Sequence, residues 1–362
     1  MNPPLTADGP VLTAAVTTLI AVDPRCDPHW RDLVERVRSD VFHSPAWMRV
    51  LADTYGLELR AHIALDDAGT PIGGVPYCHI SDIFGDRIAV LPFSDYCDPL
   101  VNDPAVWAAL MSEPMHQRCP VMIRCLHNDL PLGDPHFELV KKAKWHGLDL
   151  GPDLDSLWRG FHDSTHRAIH KSQRNGVVVE PARTPAELRQ FYDMHLAVRK
   201  YKYQMLAQPY RFFENIWRHF LESGAGFLML ARHQERVIAG AMFLRWKNTL
   251  YYKFNASMPA NLEHRPNDQI IWEAIRCARE SGCSALDFGL SDWDQDGLIR
   301  YKRKFGSVEK TISFLRYTPV SPRRADKQTR ELLSALTRLF VDRAVPDEVT
   351  ERGGDNLYRY FS

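Results

Sequence analysis

The stretch DFGLSDWDQDGLIRYKRKFG, residues 287–306, gathers more chemistry-bearing side chains than any other part of the chain. Asp292, Asp294, Asp296 and Gly297 match positions 1, 3, 5 and 6 of a calcium loop, with Ile299 at position 8. Position 12 of that loop must be a bidentate glutamate, and here it is Arg303. A fixed cation repels the ion, so no metal is expected. Asp287-Phe288-Gly289 imitates a kinase signature, yet neither a Gly-rich phosphate loop nor an H-R-D loop precedes it. The plain expectation is a strand over residues 285–288, a polar turn from Gly289, and a basic run holding Arg300, Lys302, Arg303 and Lys304. At the strand end Asp287 can anchor a cation or an amine, or cap the turn.

A second concentration lies between Ser164 and Arg174. Arg167, His170, Lys171 and Arg174 follow spacings of three and four, which puts three fixed cations and a histidine on one helical face. Such a face holds a phosphorylated acceptor or carrier through charge-assisted hydrogen bonds, or is simply solvated. Arg199, Lys200 and Lys202 can extend it. In the strand TLYYKFNAS, Tyr252 and Asn255 are candidates to line a groove, and since Tyr251 and Tyr252 alternate faces, one of them is core. The segment LPFSDYCDPL, residues 91–100, places Asp95, Tyr96 and Asp98 between two prolines, and a connecting turn is expected there. Cys97 has no basic neighbour in sequence and is not read as a nucleophile.

These residues need a scaffold, and the chain supplies it twice. SPAWMRVLADTYG has helical apolar spacing, then RAHIAL and TPIGGVPYCHI read as a strand pair. QPYRFFENIWRHFLESG is again helical, and GFLMLARHQERVIAGAMFLRW again reads as strand, polar turn, strand. Each half later adds another apolar strand, PVMIRCL and SALDFG, the latter directly after the helix DQIIWEAIRCARESG. Helix, hairpin, strand, helix, strand, occurring twice in 362 residues, predicts two related α/β domains. The boundaries expected are 1–155, 156–320, and a helical tail over 321–362.

Lys plus Arg and Asp plus Glu are both 45, so a surface that coats nucleic acid or membrane is not expected, although local basic patches remain open. Seven scattered cysteines without C-x-x-C spacing point to reduced thiols in a cytoplasmic protein. The run VLTAAVTTLIAV is too short to span a bilayer and lacks a basic region before it, so it is read as a buried strand. No transmembrane segment is expected, and a lipid-linked substrate would be met at the membrane surface.

Taken in order, HRAIHKSQRNGVVVE, FYDMHLAVRK, RPNDQIIWEAIRCARESG, DFG and GLIRYKRKFG resemble the Fem-type branch of the GNAT-like acyltransferases. FHSPAWMRVLADTYG and GGVPY extend the likeness to roughly residues 35–320. The resemblance implies two tandem GNAT-like domains, each a mixed sheet with flanking helices, and transfer of an acyl or aminoacyl group to an amine. The donor is then an acyl-CoA or an aminoacyl-tRNA, with no cofactor tightly held. The acceptor is a small molecule or a lipid- or nucleotide-linked cell-envelope, glycan or lipid intermediate. It also implies that Lys302, in a segment similar to the R-F-K of bridge-forming members, lies at the reaction site, with Tyr301 in place of the phenylalanine. A lysine ammonium there stabilises charge developing on a carbonyl oxygen. Two further readings stay open: an acyl-CoA-dependent N-acetyltransferase of a small molecule, and a non-catalytic glycan-binding module.

The chain departs from the pattern in three places. The loop that in acetyl-CoA-using members cradles pyrophosphate is HRPNDQ, without glycine, where Asn267 is expected to cap the helix. There is no room for a long helical hairpin arm. The lysine expected shortly after the early tryptophan is missing, and Arg49 is its only stand-in.

Overall fold

The computed structural model describes residues 16, 18–319 and 327–361. In chain order the first half runs β1 (Thr18–Val22), α1 (Pro28–Arg36), α2 (Pro45–Tyr55), β2 (Leu59–Leu65), β3 (Pro71–Asp82), β4 (Gly85–Ala89), α3 (Pro104–His116), β5 (Val121–Cys125), α4 (Leu130–Gly133) and β6 (Phe137–Asp149). The second half runs α5 (Leu154–Gly160), α6 (Asp163–Arg174), β7 (Val178–Pro181), α7 (Pro185–Ala197), α8 (Tyr210–Ile216), β8 (Gly226–His233), β9 (Arg236–Trp246), β10 (Thr249–Ser257), α9 (Pro266–Glu280), β11 (Ala285–Ser291), α10 (Asp296–Arg303) and β12 (Val308–Tyr317). Two helices follow, α11 (Lys327–Phe340) and α12 (Asp347–Leu357).

The predicted repeat is present: α2-β2-β3-β4-α3-β5 has the same order as α8-β8-β9-β10-α9-β11. In each, three antiparallel strands precede a helix, and the strand after that helix pairs in parallel with the third, β5 with β4 and β11 with β10. The helix supplies the crossover that a parallel pair requires. Its apolar stripe explains its place: Ile270, Ile271, Ala274, Ile275 and Ala278 of α9 follow helical spacing and are all buried.

The two sheets do not stay separate. Strand order is β1-β2-β3-β4-β5-β12-β6-β11-β10-β9-β8-β7, one continuous sheet of 12 strands. β6 of the first half pairs with β11 of the second, and β12 of the second pairs with β5 of the first. The halves thus exchange a strand, and the long antiparallel pair β6–β12 forms the seam. Helical periodicity and strand alternation say nothing about which strand pairs with which, so this exchange was not legible in the sequence.

The run read as a buried strand turns out differently. Its described part, β1, is an edge strand with only β2 beside it, and Leu19 is 43% exposed. In the tail, residues 320–326 lie outside the described residues, while α12 docks through Lys200, whose ammonium reaches Val345 O at 2.5 Å and Asp347 Oδ1 at 2.7 Å. All seven cysteines are unpaired. Among the described residues no helix is long and apolar enough to cross a membrane.

Candidate functional site

β10 and β11 pair over only three residues each, Thr249–Tyr251 against Ala285–Asp287, and then part. Both strands are irregular where they separate, β10 between Tyr252 and Phe254 and β11 between Asp287 and Gly289. Gly289 has φ +69°, a left-handed conformation that favours glycine, and a Cβ there would lie 2.7 Å from Asp95 Oδ2. A bend of this kind re-aims side chains and frees backbone groups, and such irregularities concentrate beside functional sites.

Four charged side chains meet at the parting. Lys302, on α10, donates to Gly289 O at 3.0 Å and Leu290 O at 2.8 Å. An ammonium has three donors, so one N–H is left without a partner among the described residues. Burial, with 2% of Lys302 exposed, pulls its pKa down to about 8, against the opposing pull of Asp95 and Asp287. Asp287 is 3% exposed and accepts from Gly289 N–H at 2.5 Å and from the Tyr96 hydroxyl at 2.6 Å. Burial pushes its carboxyl up to about 6, while the Tyr96 and Gly289 donors act in the other direction. Lys253, on β10, reaches Asp95 Oδ1 at 2.7 Å, with its ammonium 4.7 Å from the Phe42 ring centre and 5.4 Å from that of Trp47.

Two of these partners belong to the segment expected to be a plain connecting turn. Residues 91–98 are instead mostly buried, and they carry Asp95 and Tyr96 across to the second half. The sequence signal that was available is the run of polar residues between two prolines. Lys253, inside TLYYKFNAS, was also missed. Trp47 is core and donates to Ser94 Oγ at 2.9 Å, whereas Arg49 binds Arg25 O at the exposed surface, so Lys253 rather than Arg49 brings an ammonium beside that tryptophan.

A second cluster sits at the start of α9. Asp268, in the first turn and 4% exposed, is ion-paired with Lys304. The Lys304 ammonium lies 4.3 Å from the Tyr301 ring centre, and the Tyr301 hydroxyl is buried without a hydrogen-bond partner among the described residues. Burial and the Asp268 charge both raise the Tyr301 and Tyr252 phenols. Asn267 does not cap the helix. The cap position is Arg265, in the left-handed region at φ +57°, and Asn267 Oδ1 accepts from Ser257 Oγ at 2.8 Å. The proline at the first helical position fixes the entry, which leaves Asn267 two places past the cap.

The α6 residues lie on one face. Thr165, Ile169 and Ser172 are buried, and Arg167, His170, Lys171 and Arg174 are exposed on the other side. The three fixed cations have no acidic partner among the described residues; His170 makes an edge contact with the Trp158 ring. Arg199 does not extend this patch as a free cation, because its Nε is committed to Leu206 O at 3.0 Å, and Lys200 is wholly buried. Tyr251 is the core member of its pair, Tyr252 is half-buried against Phe243 and Phe288, and Asn255 is exposed. Of the acidic ladder, Asp292 is held by Lys141 at 2.6 Å, and Arg303 is turned to Glu309.

Residues 160–303 match the acetyltransferase (GNAT) domain family, a span that contains α6, α9, both parted strands and Lys302. No curated protein matches the chain in sequence. In overall structure the chain is similar to FemX, with a TM-score of 0.66 and 14% identity, over 89% of this chain and 100% of that one. It is also similar to L-PGS from Bacillus licheniformis (TM-score 0.53, 13% identity, 88% and 98% covered). A tandem GNAT protein from the clavulanic acid biosynthesis pathway superposes comparably (TM-score 0.53, 11% identity, 84% and 99% covered). Residues 160–303 therefore carry a GNAT domain, and the chain as a whole has a fold similar to those of FemX and of the tandem GNAT protein.

Proposed function

We propose that the protein is an N-acyltransferase that moves an acyl or aminoacyl group from an activated ester or thioester to an amine. The observation that carries this reading is the parting of β10 and β11 with Lys302 at its closed end. When a neutral amine attacks the carbonyl, a C–N bond forms, charge collects on the carbonyl oxygen, and the amine proton must leave before the alcohol or thiol departs. A lysine ammonium in a low-dielectric setting, with one uncommitted N–H, suits the oxyanion. No enzyme-bound acyl intermediate is needed.

For the donor we favour a carrier that places no pyrophosphate at the start of α9. That helix end attracts anions through its free N–H groups and dipole, and Asp268 with Lys304 already supplies the negative charge there. An aminoacyl-tRNA donor fits this better than acyl-CoA. The cations Arg167, Lys171 and Arg174, without an acidic partner among the described residues, give a polyanionic carrier or a phosphorylated acceptor a surface to rest on. The acceptor in this reading is an amine on a cell-envelope, glycan or lipid intermediate.

Incubating the purified protein with isotopically labelled aminoacyl-tRNA or acyl-CoA and extracted envelope precursors, read by mass spectrometry, tests this directly. A precursor that gains one acyl mass only with aminoacyl-tRNA is expected. Gain of an acetyl mass from acetyl-CoA alone would favour the small-molecule or CoA reading, and tight precursor binding without any mass change would favour a binding module.

A further inference from the structure

The segment between β4 and α3 has the marks of a built part rather than a connection. Leu91 and Phe93 adopt φ of +48° and +59°, left-handed values that non-glycine residues hold only when their surroundings impose them. The surroundings do so. Arg124 Nη1 donates to Ser94 O at 2.6 Å, Cys97 N–H donates to Arg124 O at 2.9 Å, and Trp47 Nε1 donates to Ser94 Oγ. Asp98 Oδ1 accepts from the backbone N–H groups of Leu126, His127 and Asn128 at 2.9 to 3.0 Å. Between these anchors Tyr96 is 1% exposed, and its hydroxyl ends 2.6 Å from Asp287 Oδ2, 191 residues away.

We propose that Tyr96, carried by the first half, is a positioning residue of the second half's site: its phenol holds the Asp287 carboxylate at the bend of β11 that Lys302 closes. The strained loop makes the contact rigid, because Ser94 and Asp98 are fixed on either side of it. The first half thereby enters the chemistry of the second without lending a group to the substrate. This inference rests on the acyl-transfer reading for its consequence in turnover, although the contact itself stands apart from it.

The groups facing Asp287 make a sign available. Asp95 approaches from the same loop as Tyr96, Trp145 from β6, Lys302 from α10, and the Gly289 N–H from β11 itself. Asp40, just before α2, and Tyr251 on β10 face the same phenol, with Asp40 Oδ1 3.4 Å from both hydroxyls. Lys253 acts on Lys302, and His127 packs edge-on against both Tyr96 and Trp145. A phenol that donates to a carboxylate favours its charged form, so deleting the hydroxyl leaves Asp287 easier to protonate.

The test reads the carboxylate directly, by carbon-13 NMR of aspartate-labelled full chain, with Asp287→Asn identifying the signal. In Tyr96→Phe the Asp287 midpoint is expected to rise by about one pH unit, the size of effect a lost strong donor produces. An unchanged midpoint in a folded Tyr96→Phe protein overturns the proposal. Should that variant not fold, site-specific 3-fluorotyrosine at position 96, a stronger donor, is expected to lower the midpoint, and no shift there is equally fatal. If transfer activity is found, the acid limb of kcat/KM moves with the NMR midpoint. If no activity is found, the NMR result still decides the role of Tyr96.

Discussion

Lys253 Nζ lies 2.7 Å from Asp95 Oδ1, an ion pair between residues 158 positions apart that joins the two halves at the mouth of the parted strands. The lysine is nearly buried (6% side-chain exposure) and the aspartate is not (26%). Removing the carboxylate therefore strands a desolvated ammonium, while removing the lysine leaves a carboxylate that water reaches. Asp95→Ala is expected to cost about 2 to 4 kcal/mol, more than Lys253→Met, because an uncompensated buried charge is the expensive outcome. Urea unfolding of both singles and the double variant reads the difference, with a coupling of about 1 kcal/mol or more between contacting residues. Equal costs and no coupling would mean the pair is a solvated surface contact.

Lys302→Met is the variant that separates structure from turnover. From sequence it looks nearly isosteric, but the ammonium binds two buried carbonyl oxygens, and hydrogen bonds to charged groups contribute about 1.5 to 3 kcal/mol each. A stability loss of that order is expected alongside a rate loss of about 100- to 1,000-fold. Its lowered pKa adds a check: if the charged form stabilises the oxyanion, wild-type activity falls as pH rises through about 8. A profile that stays level to pH ~10, above the ordinary lysine value, would remove the Lys302 charge from the mechanism.

How much of this was legible beforehand depends on which residues are asked. α6, α9 and the repeated strand-helix order followed from spacing, since apolar residues every three or four positions and alternating strands fix local form and burial together. The α6 cations came out on one exposed face for the same reason. The loop at 91–98 was not legible. Tyr96 and Asp95 meet Asp287 and Lys253 over 150 residues away, and the left-handed backbone of Leu91 and Phe93 follows from what encloses them, not from their side chains. Lys253 was hidden by alternation, which assigned its neighbours to faces but said nothing about a bulge that turns it toward Asp95. The cap at α9 lies two residues before Asn267 because Pro266 sets the helix start.

Asp287→Asn probes the cost of keeping a carboxylate buried. Its folded pKa of about 6 lies above the ordinary aspartate value, so its contribution to stability is present in acid and is lost as pH rises through about 6. Relative to the asparagine variant, the wild type should lose on the order of 2 kcal/mol between pH 4 and pH 7. Paired urea titrations across that range measure it. A constant difference would mean that Asp287 titrates as if unfolded and that its burial is not felt.

Charge reversal at Arg167 and Lys171 tests the α6 face. Neither has an acidic partner among the described residues, so replacing both with glutamate should leave the melting temperature nearly unchanged. Binding of a polyanionic carrier should weaken and its salt dependence flatten, since exposed charge attraction is screened over about 8 Å at physiological salt. Binding by wild type and double variant that stays equal across a salt series would reduce the face to solvated cations.

The ion pair of Asp268 with Lys304 at the start of α9 is the basis of the proposed preference among donors. A carboxylate in the first turn already satisfies the attraction of that helix end for negative charge, and a pyrophosphate brought there meets it as a like charge. CoA is therefore expected to give little thermal stabilisation to the wild type. Asp268→Asn keeps the shape, removes the charge and frees the Lys304 ammonium for an anion. That variant is expected to gain CoA binding, readable as a rise in melting temperature that grows with ligand, toward about 2.7 kcal/mol at 100 times the dissociation constant. Inorganic pyrophosphate should act in the same direction, because the site would recognise the phosphates and not the thiol. If instead the wild type is stabilised by CoA as strongly as Asp268→Asn, the carboxylate does not occupy the anion position, and the preference for an aminoacyl-tRNA donor loses its physical basis.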